Sequence, residues 1–224
     1  MEIVLALFDF IPVILCFISL AILQECLYSK MKKYSFALLA SGSIMILVAG
    51  VLKAIWKLIY YGAKVDFYRF NYLFFPIQGI GFILAFAGIL IMIIDIKRAK
   101  TINKSNSLNS IFLVGALPVA EEGFSLANDT MMYVAMQMLG VFGIYLCVSY
   151  MAIKLKKKWI VGIIVVAFIC MLGMGYLSTK INRSTGTDWV KYNWIAEIVN
   201  TLGQTLFLFA IVKLKKAGLK DIEL

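Results

Sequence analysis

The chain has 224 residues, of which 62% are hydrophobic and 15% charged, and its mean hydropathy is +0.92. Ordinary globular domains are about 45–50% apolar and about a quarter charged, so this composition predicts an integral membrane protein. The chain contains no histidine, which excludes imidazole-based metal sites, haem ligation through histidine and His-dependent catalysis.

A membrane-spanning helix needs about 20 mostly apolar residues. The first qualifying segment begins with Glu2, carries Asp9 and lacks a small-residue cleavage site, so we expect a retained span and not a cleaved signal. A further candidate, 109–127, contains two adjacent glutamates and a proline in "VGALPVAEEGF". Inside a membrane span, a charged side chain carries a large free-energy cost. The six clear segments are 3–27, 35–60, 71–95, 131–153, 159–177 and 193–213.

The distribution of the basic residues predicts the topology and accounts for the net charge of +10. If 109–127 crosses the membrane, fifteen Lys and Arg residues lie on one side and seven on the other. If it does not cross, the division becomes ten against twelve. Cytoplasmic loops carry the Lys/Arg excess, so we predict seven spans with the N-terminus outside and the C-terminus in the cytoplasm. The basic clusters are explained by their role in setting the membrane orientation and by their attraction to anionic lipid, so we expect no nucleic-acid partner.

An internal repeat is indicated by residues 66–81, "DFYRFNYLFFPIQGIG", which align without gaps onto 188–203, "DWVKYNWIAEIVNTLG". Gly81 matches Gly203, and aromatic and basic residues match in kind. A structural interpretation of this block is that Asp66 and Asp188 cap helices while the rings lie at the membrane interface. The alignment predicts two copies of a three-helix unit.

The predicted fold is therefore an all-α integral membrane protein with seven transmembrane helices. Residues 1–97 form the first three-helix repeat, 98–129 the basic loop and linking helix 4, and 130–224 the second repeat with a short basic tail. A single linking helix makes the two copies point the same way. This 3+1+3 plan resembles that of the SWEET-type sugar transporters. Their prolines recur in both repeats, whereas the three prolines of this chain have no counterparts in the second repeat.

Polar residues inside the predicted spans concentrate in the outer half of the membrane. In the last span, spacings of 4, 3 and 4 residues place four polar side chains on one helical face, and such residues usually face a bundle interior or water. We expect an outward-facing polar cavity that binds or transports a ligand. Its candidate residues are Asp9, Lys53, Gln78, Glu121, Gln137, Asn193, Glu197, Asn200 and Gln204. The alternative is a closed structural network in which Glu197 or Glu121 pairs with Lys53 or Lys57; whether Glu122 faces the cavity stays open.

All three prolines lie inside predicted spans, each within three residues of a polar side chain. A proline within a helix frees a carbonyl and kinks the helix, so we predict hinges at Pro12, Pro76 and Pro118. The four cysteines lie in or at the ends of apolar segments without CxxC spacing, and we interpret them as small buried hydrophobic residues.

These features favour a multi-pass transporter of the cell (plasma) membrane that carries a small neutral-polar or cationic solute, with proton coupling through Glu197 and Glu121 left open. One alternative is a seven-helix ligand-binding sensor or membrane-complex subunit that signals through a partner. Another is a lipid enzyme that uses carboxylates. We assign no catalytic residue and expect no metal and no cofactor. The expected partners are the lipid bilayer and the solute, with a membrane partner protein or a homodimer left open.

Overall fold

A computed structural model describes residues 2–65, 68–101, 130–181 and 186–222. The protein is all-helical over these residues, with no strand among them. The helices are α1 Glu2–Phe8, α2 Phe10–Leu27, α3 Lys33–Ala63, α4 Tyr68–Thr101, α5 Thr130–Lys154, α6 Lys158–Ile181 and α7 Gly186–Lys216. Short 3₁₀ turns follow α2 and α7, at Tyr28–Lys30 and Leu219–Asp221.

Six of the predicted spans are confirmed as helices that are long and apolar enough to cross a membrane, with α1 and α2 together forming the first. Their outward faces carry large apolar side chains such as Leu139, Ile169 and Leu202, each more than half exposed. In water such a surface would be unfavourable, whereas lipid accommodates it. The architecture is that of a multi-pass, membrane-embedded protein. The predicted span over 109–127 lies outside the described residues.

The first span is interrupted at Asp9, which separates α1 from α2. Pro12 explains the interruption, because it has no N–H to donate to the carbonyl of Phe8 and its ring crowds that carbonyl. Asp9 itself keeps a backbone hydrogen bond to the Leu5 carbonyl, at 3.1 Å. By contrast, α4 is continuous through Pro76. The helix of the first span is therefore interrupted at Asp9, one of the predicted functional carboxylates.

The six long helices form a closed ring. Each of α2 to α6 packs against the next helix in the chain, and α7 packs against α2 to complete the circle. The buried apolar core lies inside the ring and includes Leu20, Ile89, Ile144, Ile164 and Phe207.

Four of the six neighbouring pairs in the ring are antiparallel and two are parallel. Gly140 of α5 lies against Phe82 of α4, and Gly143 lies one turn further on against Phe86, so α4 and α5 run in the same direction. The ring therefore consists of two groups of three helices: the first triplet, α2 to α4, and the second triplet, α5 to α7.

The other parallel pair is α2 with α7. Phe8, the last residue of α1, lies beside Trp194 of α7 with tilted rings whose centroids are 5.7 Å apart, and further along α2 and α7 Glu25 pairs with Lys215. We call the end of the bundle with Asp9 the N-terminal end. The opposite end, with Lys30, Lys154 and Lys216, we call the basic end.

The two junctions between the triplets differ in chemistry. At the α4–α5 junction the helices approach so closely that a Cβ on Gly140 would lie 2.5 Å from the carbonyl carbon of Phe82. Close packing of glycine against backbone is typical of helix association in lipid. On the other side of the ring, Lys57 of α3 pairs with Glu197 of α7 near the N-terminal end, and Glu25 of α2 pairs with Lys215 of α7 near the basic end.

Candidate functional site

Three ionisable side chains, one from the break between α1 and α2 and one each from α3 and α7, meet near the N-terminal end of the bundle. The Lys57 Nζ lies 2.5 Å from Asp9 Oδ2 and 3.0 Å from Glu197 Oε1. Each of the three side chains is less than a tenth exposed. We call Asp9, Lys57 and Glu197 the charge cluster. Because burial of unpaired charge is costly, these mutual contacts are what makes the burial tolerable.

Local sequence explains why the three side chains meet. Asp9 stands at the break before Pro12, Lys57 lies in the last two turns of α3, and Glu197 lies about three turns into α7. Since α3 runs opposite to α2 and α7, its C-terminal part lies beside their N-terminal parts. The charge cluster therefore connects the first triplet, through Asp9 and Lys57, to the second, through Glu197.

The cluster contains two carboxylates and one ammonium, an unequal count. Lys53, one helical turn before Lys57, adds a second positive charge that acts on both carboxylates. Its Nζ lies 5.6 Å from the ring centroid of Phe74, a cation–π distance. Neither oxygen of Asp9 has a hydrogen bond of regular geometry among the described residues. The ion pair with Lys57 is therefore the main contact of the Asp9 carboxylate.

The remaining predicted site residues lie at varied positions. On α7, Asn193 and Gln204 are buried with Glu197, while Asn200 is half-buried. The Asn193 Nδ2 donates to the Trp189 carbonyl within the same helix, at 2.9 Å. Gln78 of α4 and Gln137 of α5 are half-buried and lie outside the charge cluster. Glu121, Glu122 and Pro118 lie outside the described residues.

Gln204 lies deeper in the bundle, beside a small internal cavity. The cavity has a volume of about 10 Å³ and is lined by residues of α2, α4, α5, α6 and α7, including Cys16, Tyr145 and Gln204. We call it the axial cavity because five of the six ring helices contribute to its wall. Gln204 donates through Nε2 to Met171 Sδ at 3.4 Å. The closed charge cluster is near the N-terminal end, whereas this internal space is at mid-depth.

The sequence pattern predicts Lys53 as a site residue and gives Lys57 only as a structural pairing partner. The two lysines are four residues apart and share a helical face, so spacing alone cannot decide which of them reaches the carboxylates. Tyr145 is not among the predicted site residues, because a tyrosine in an apolar span is usually an interfacial or core residue. No periodicity in α5 indicated that its hydroxyl faces a cavity.

The basic end carries a second set of polar contacts. Tyr34 donates to Asp95, and Lys32 pairs with the same carboxylate at 3.3 Å. Partial desolvation lowers the pKa of Lys32, but its hydrogen bond to Asp95 and the charge there raise it by more, so the pKa lies above its ordinary value. Between the triplets, Lys215 Nζ lies 2.8 Å from Glu25 Oε2, and both side chains are largely exposed. Exposed pairs of this kind contribute little to stability.

No family model, curated protein or solved structure matches the chain.

Proposed function

We propose that the protein is a small-solute transporter of the cell membrane whose charge cluster couples proton binding to the contact between two three-helix repeats. The observation that carries the proposal is the Lys57–Glu197 pair, which is buried and joins the two triplets. Intramembrane ionisable residues that pair with one another commonly mark proton relays and substrate pathways.

The arrangement of the ring supports the proposed duplication. Both triplets follow the same alternation of helix direction, as parallel repeats do. Gly81 and Gly203, which the repeat alignment pairs, each face the middle helix of their own triplet. A Cβ on Gly81 would lie 3.0 Å from Met45, and one on Gly203 would lie 3.3 Å from the Ala167 carbonyl. The two members of each matched pair, Gly81 with Gly203 and Met45 with Ala167, are 122 residues apart.

The same arrangement supports a seventh span. Since α4 and α5 are parallel, the chain leaves α4 at the basic end and enters α5 at the N-terminal end. A linking span over 109–127 accounts for this return, and it agrees with the basic residues being gathered on one side.

The unequal charge count suggests how a proton controls the α2–α7 junction. With both carboxylates ionised, Lys57 holds Asp9 and Glu197 together. Asp9 belongs to the same triplet as Lys57 and lacks a hydrogen bond of regular geometry within the described part of the chain, whereas Glu197 accepts one from Lys57 at 3.0 Å. Protonation of Asp9 therefore leaves the ammonium to Glu197 and strengthens the contact between the triplets, and loss of that proton lets Asp9 compete for the ammonium and weakens the contact at the N-terminal end. Ion pairs in a low-dielectric interior are strong enough for one proton to change this balance.

The test is solute-dependent proton flux in proteoliposomes that contain the purified protein and an internal pH-sensitive dye. A panel of small neutral and cationic solutes is added outside. We expect at least one solute to drive proton movement in the wild type and the movement to be lost in Glu197→Gln. Glu25→Gln is the matched control, because it removes the exposed ion pair at the same junction and should retain the flux.

Equal flux in Glu197→Gln and wild type would contradict the role of the cluster. Absence of flux for every solute, together with a protein that co-purifies in stoichiometric amount, would favour the sensor or complex-subunit alternative.

A further inference from the structure

We infer that the axial cavity is the binding site for a small uncharged solute that both donates and accepts hydrogen bonds. This inference rests on the proposed transport function for its purpose, but the site is argued from its own geometry. It narrows the neutral-or-cationic class of solutes to the neutral one.

Two polar atoms at the cavity lack partners. The Tyr145 hydroxyl and the Gln204 Oε1 are both fully buried and have no hydrogen-bond partner among the described residues. Both residues are only 6% exposed and both line the cavity. Buried polar groups are nearly always paired, so two unpaired groups beside one space indicate a guest that pairs with them. The hydroxyl donates or accepts and the amide oxygen accepts, so the guest must carry a donor.

The wall of the cavity is otherwise apolar and contains no charged side chain. The nearest carboxylate on α7 is Glu197, seven residues and about 10 Å along the helix from Gln204, and it is already paired with Lys57. A cation in the cavity would therefore be buried without a counter-ion, which is strongly unfavourable. The lining selects for an uncharged guest.

The small volume of the cavity corresponds to a closed conformation of the protein. A volume of about 10 Å³ is close to the room that one water molecule requires. Tyr145 and Phe207 stack face to face at one side, with centroids 4.6 Å apart. Residues of both triplets line the space, including Cys16 of the first triplet and Gln204 of the second. Separation of the triplets at the α2–α7 junction would enlarge it to admit a solute of a few heavy atoms.

The test compares acetamide with acetamidinium, an isosteric neutral and cationic pair, as ligands of the full-length protein in nanodiscs. The readout is the shift of the thermal unfolding midpoint with ligand concentration. We expect a saturable upward shift with acetamide and none with acetamidinium. In Gln204→Leu and Tyr145→Phe the apparent affinity for acetamide should fall about tenfold, the loss of one hydrogen bond. Thr205→Val, next to Gln204 but exposed on the outer face of α7, should bind like wild type.

The inference is overturned if neither probe shifts the midpoint, if acetamidinium binds as well as acetamide, or if acetamide binding is unchanged in the variants. If Tyr145→Phe does not fold, Gln204→Leu alone decides the outcome. Acetamide uptake by proteoliposomes separates the two proposals. Binding without uptake leaves the site intact and removes transport, whereas proton-coupled uptake of cations alone retains transport and removes this site.

Discussion

At Lys57 a single ammonium faces two carboxylates, and substitutions there have unequal effects. Removal of the ammonium leaves Asp9 and Glu197 buried side by side without a direct partner. Removal of one carboxylate leaves a one-to-one pair. Breaking a buried ion pair by deleting one partner typically costs about 3–5 kcal/mol, because the remaining charge is uncompensated.

We therefore expect Lys57→Met to lower the free energy of unfolding by about 3 kcal/mol or more. Lys53→Met, one turn away on the same helix, loses a partly exposed cation–π contact and should cost about 1 kcal/mol or less. Denaturant unfolding of both variants in the same detergent measures the difference. Adding Glu197→Gln to Lys57→Met should recover part of the loss; equal losses in the two lysine variants would contradict this account.

The sequence pattern predicts Asp9 and Glu197 as site residues, whereas it gives Lys57 only as a possible partner of Glu197 in a closed structural network. Glu197 follows from the polar face of α7, and Asp9 from its position in an apolar span. Lys57 gains its role only because α3 packs between the helix that carries Asp9 and the face that carries Glu197, a non-local contact. Tyr145 becomes relevant only through the cavity beside it.

Among the elements, the α4–α5 pair relies on glycine at positions where two backbones meet. A methyl group on Gly140 would lie 2.5 to 2.7 Å from three atoms of Phe82, two of which belong to the backbone. Backbone in the middle of a packed helix cannot move aside cheaply. Gly162, in the second turn of α6, has no atom within 4 Å of the corresponding position and is exposed.

We expect Gly140→Ala to destabilise the protein by about 1–3 kcal/mol, the usual cost of overpacking. Gly162→Ala should instead be neutral or stabilising by up to about 1 kcal/mol, because alanine restricts the unfolded chain and favours helix. Thermal unfolding of the two alanine variants beside wild type is the measurement. A loss in Gly162→Ala equal to that in Gly140→Ala would mean that close packing at the α4–α5 junction is not the cause.

Helix boundaries were the part of the fold that hydropathy predicted well. The apolar segments mark α3, α5 and α6 to within a few residues, because a span must satisfy all its backbone groups by itself. Helices α4 and α7 extend beyond their predicted ends into polar sequence that contains no proline. Hydropathy does not predict the interruption at Asp9. It follows from Pro12, which cannot donate to the Phe8 carbonyl four residues earlier and crowds it.

For the molecule as a whole, the direction of α5 distinguishes the predicted topologies. With seven spans, the segments after α4 and after α5 lie on the same side of the membrane; with six, they lie on opposite sides. The parallel packing of α4 and α5 is the observation behind our proposal of seven spans. Sequence periodicity did not predict that α7 returns to α2, since ring closure depends on contacts between distant parts of the chain.

Single cysteines introduced at Ser105, Lys157 and Val65, and labelled in intact cells with a membrane-impermeant maleimide, test the topology. We expect Ser105→Cys and Lys157→Cys to be protected and Val65→Cys to react. Labelling after cell lysis controls for accessibility. The native Cys16, Cys26 and Cys147 are buried, and Cys170, which is half-buried, is replaced by serine in the starting protein. Reaction at Lys157→Cys but not at Ser105→Cys would exclude the seventh span.

The different chemistry of the two junctions has an evolutionary consequence if the triplets arose by duplication. In a homodimer of identical three-helix chains, every substitution at one junction appears at the other as well. Glycines that bring two backbones together and a buried lysine that holds a carboxylate of the opposite half would then have to coexist at both places. Fusion of the copies into one gene removes this constraint, so that one junction keeps its glycines while the other acquires charge.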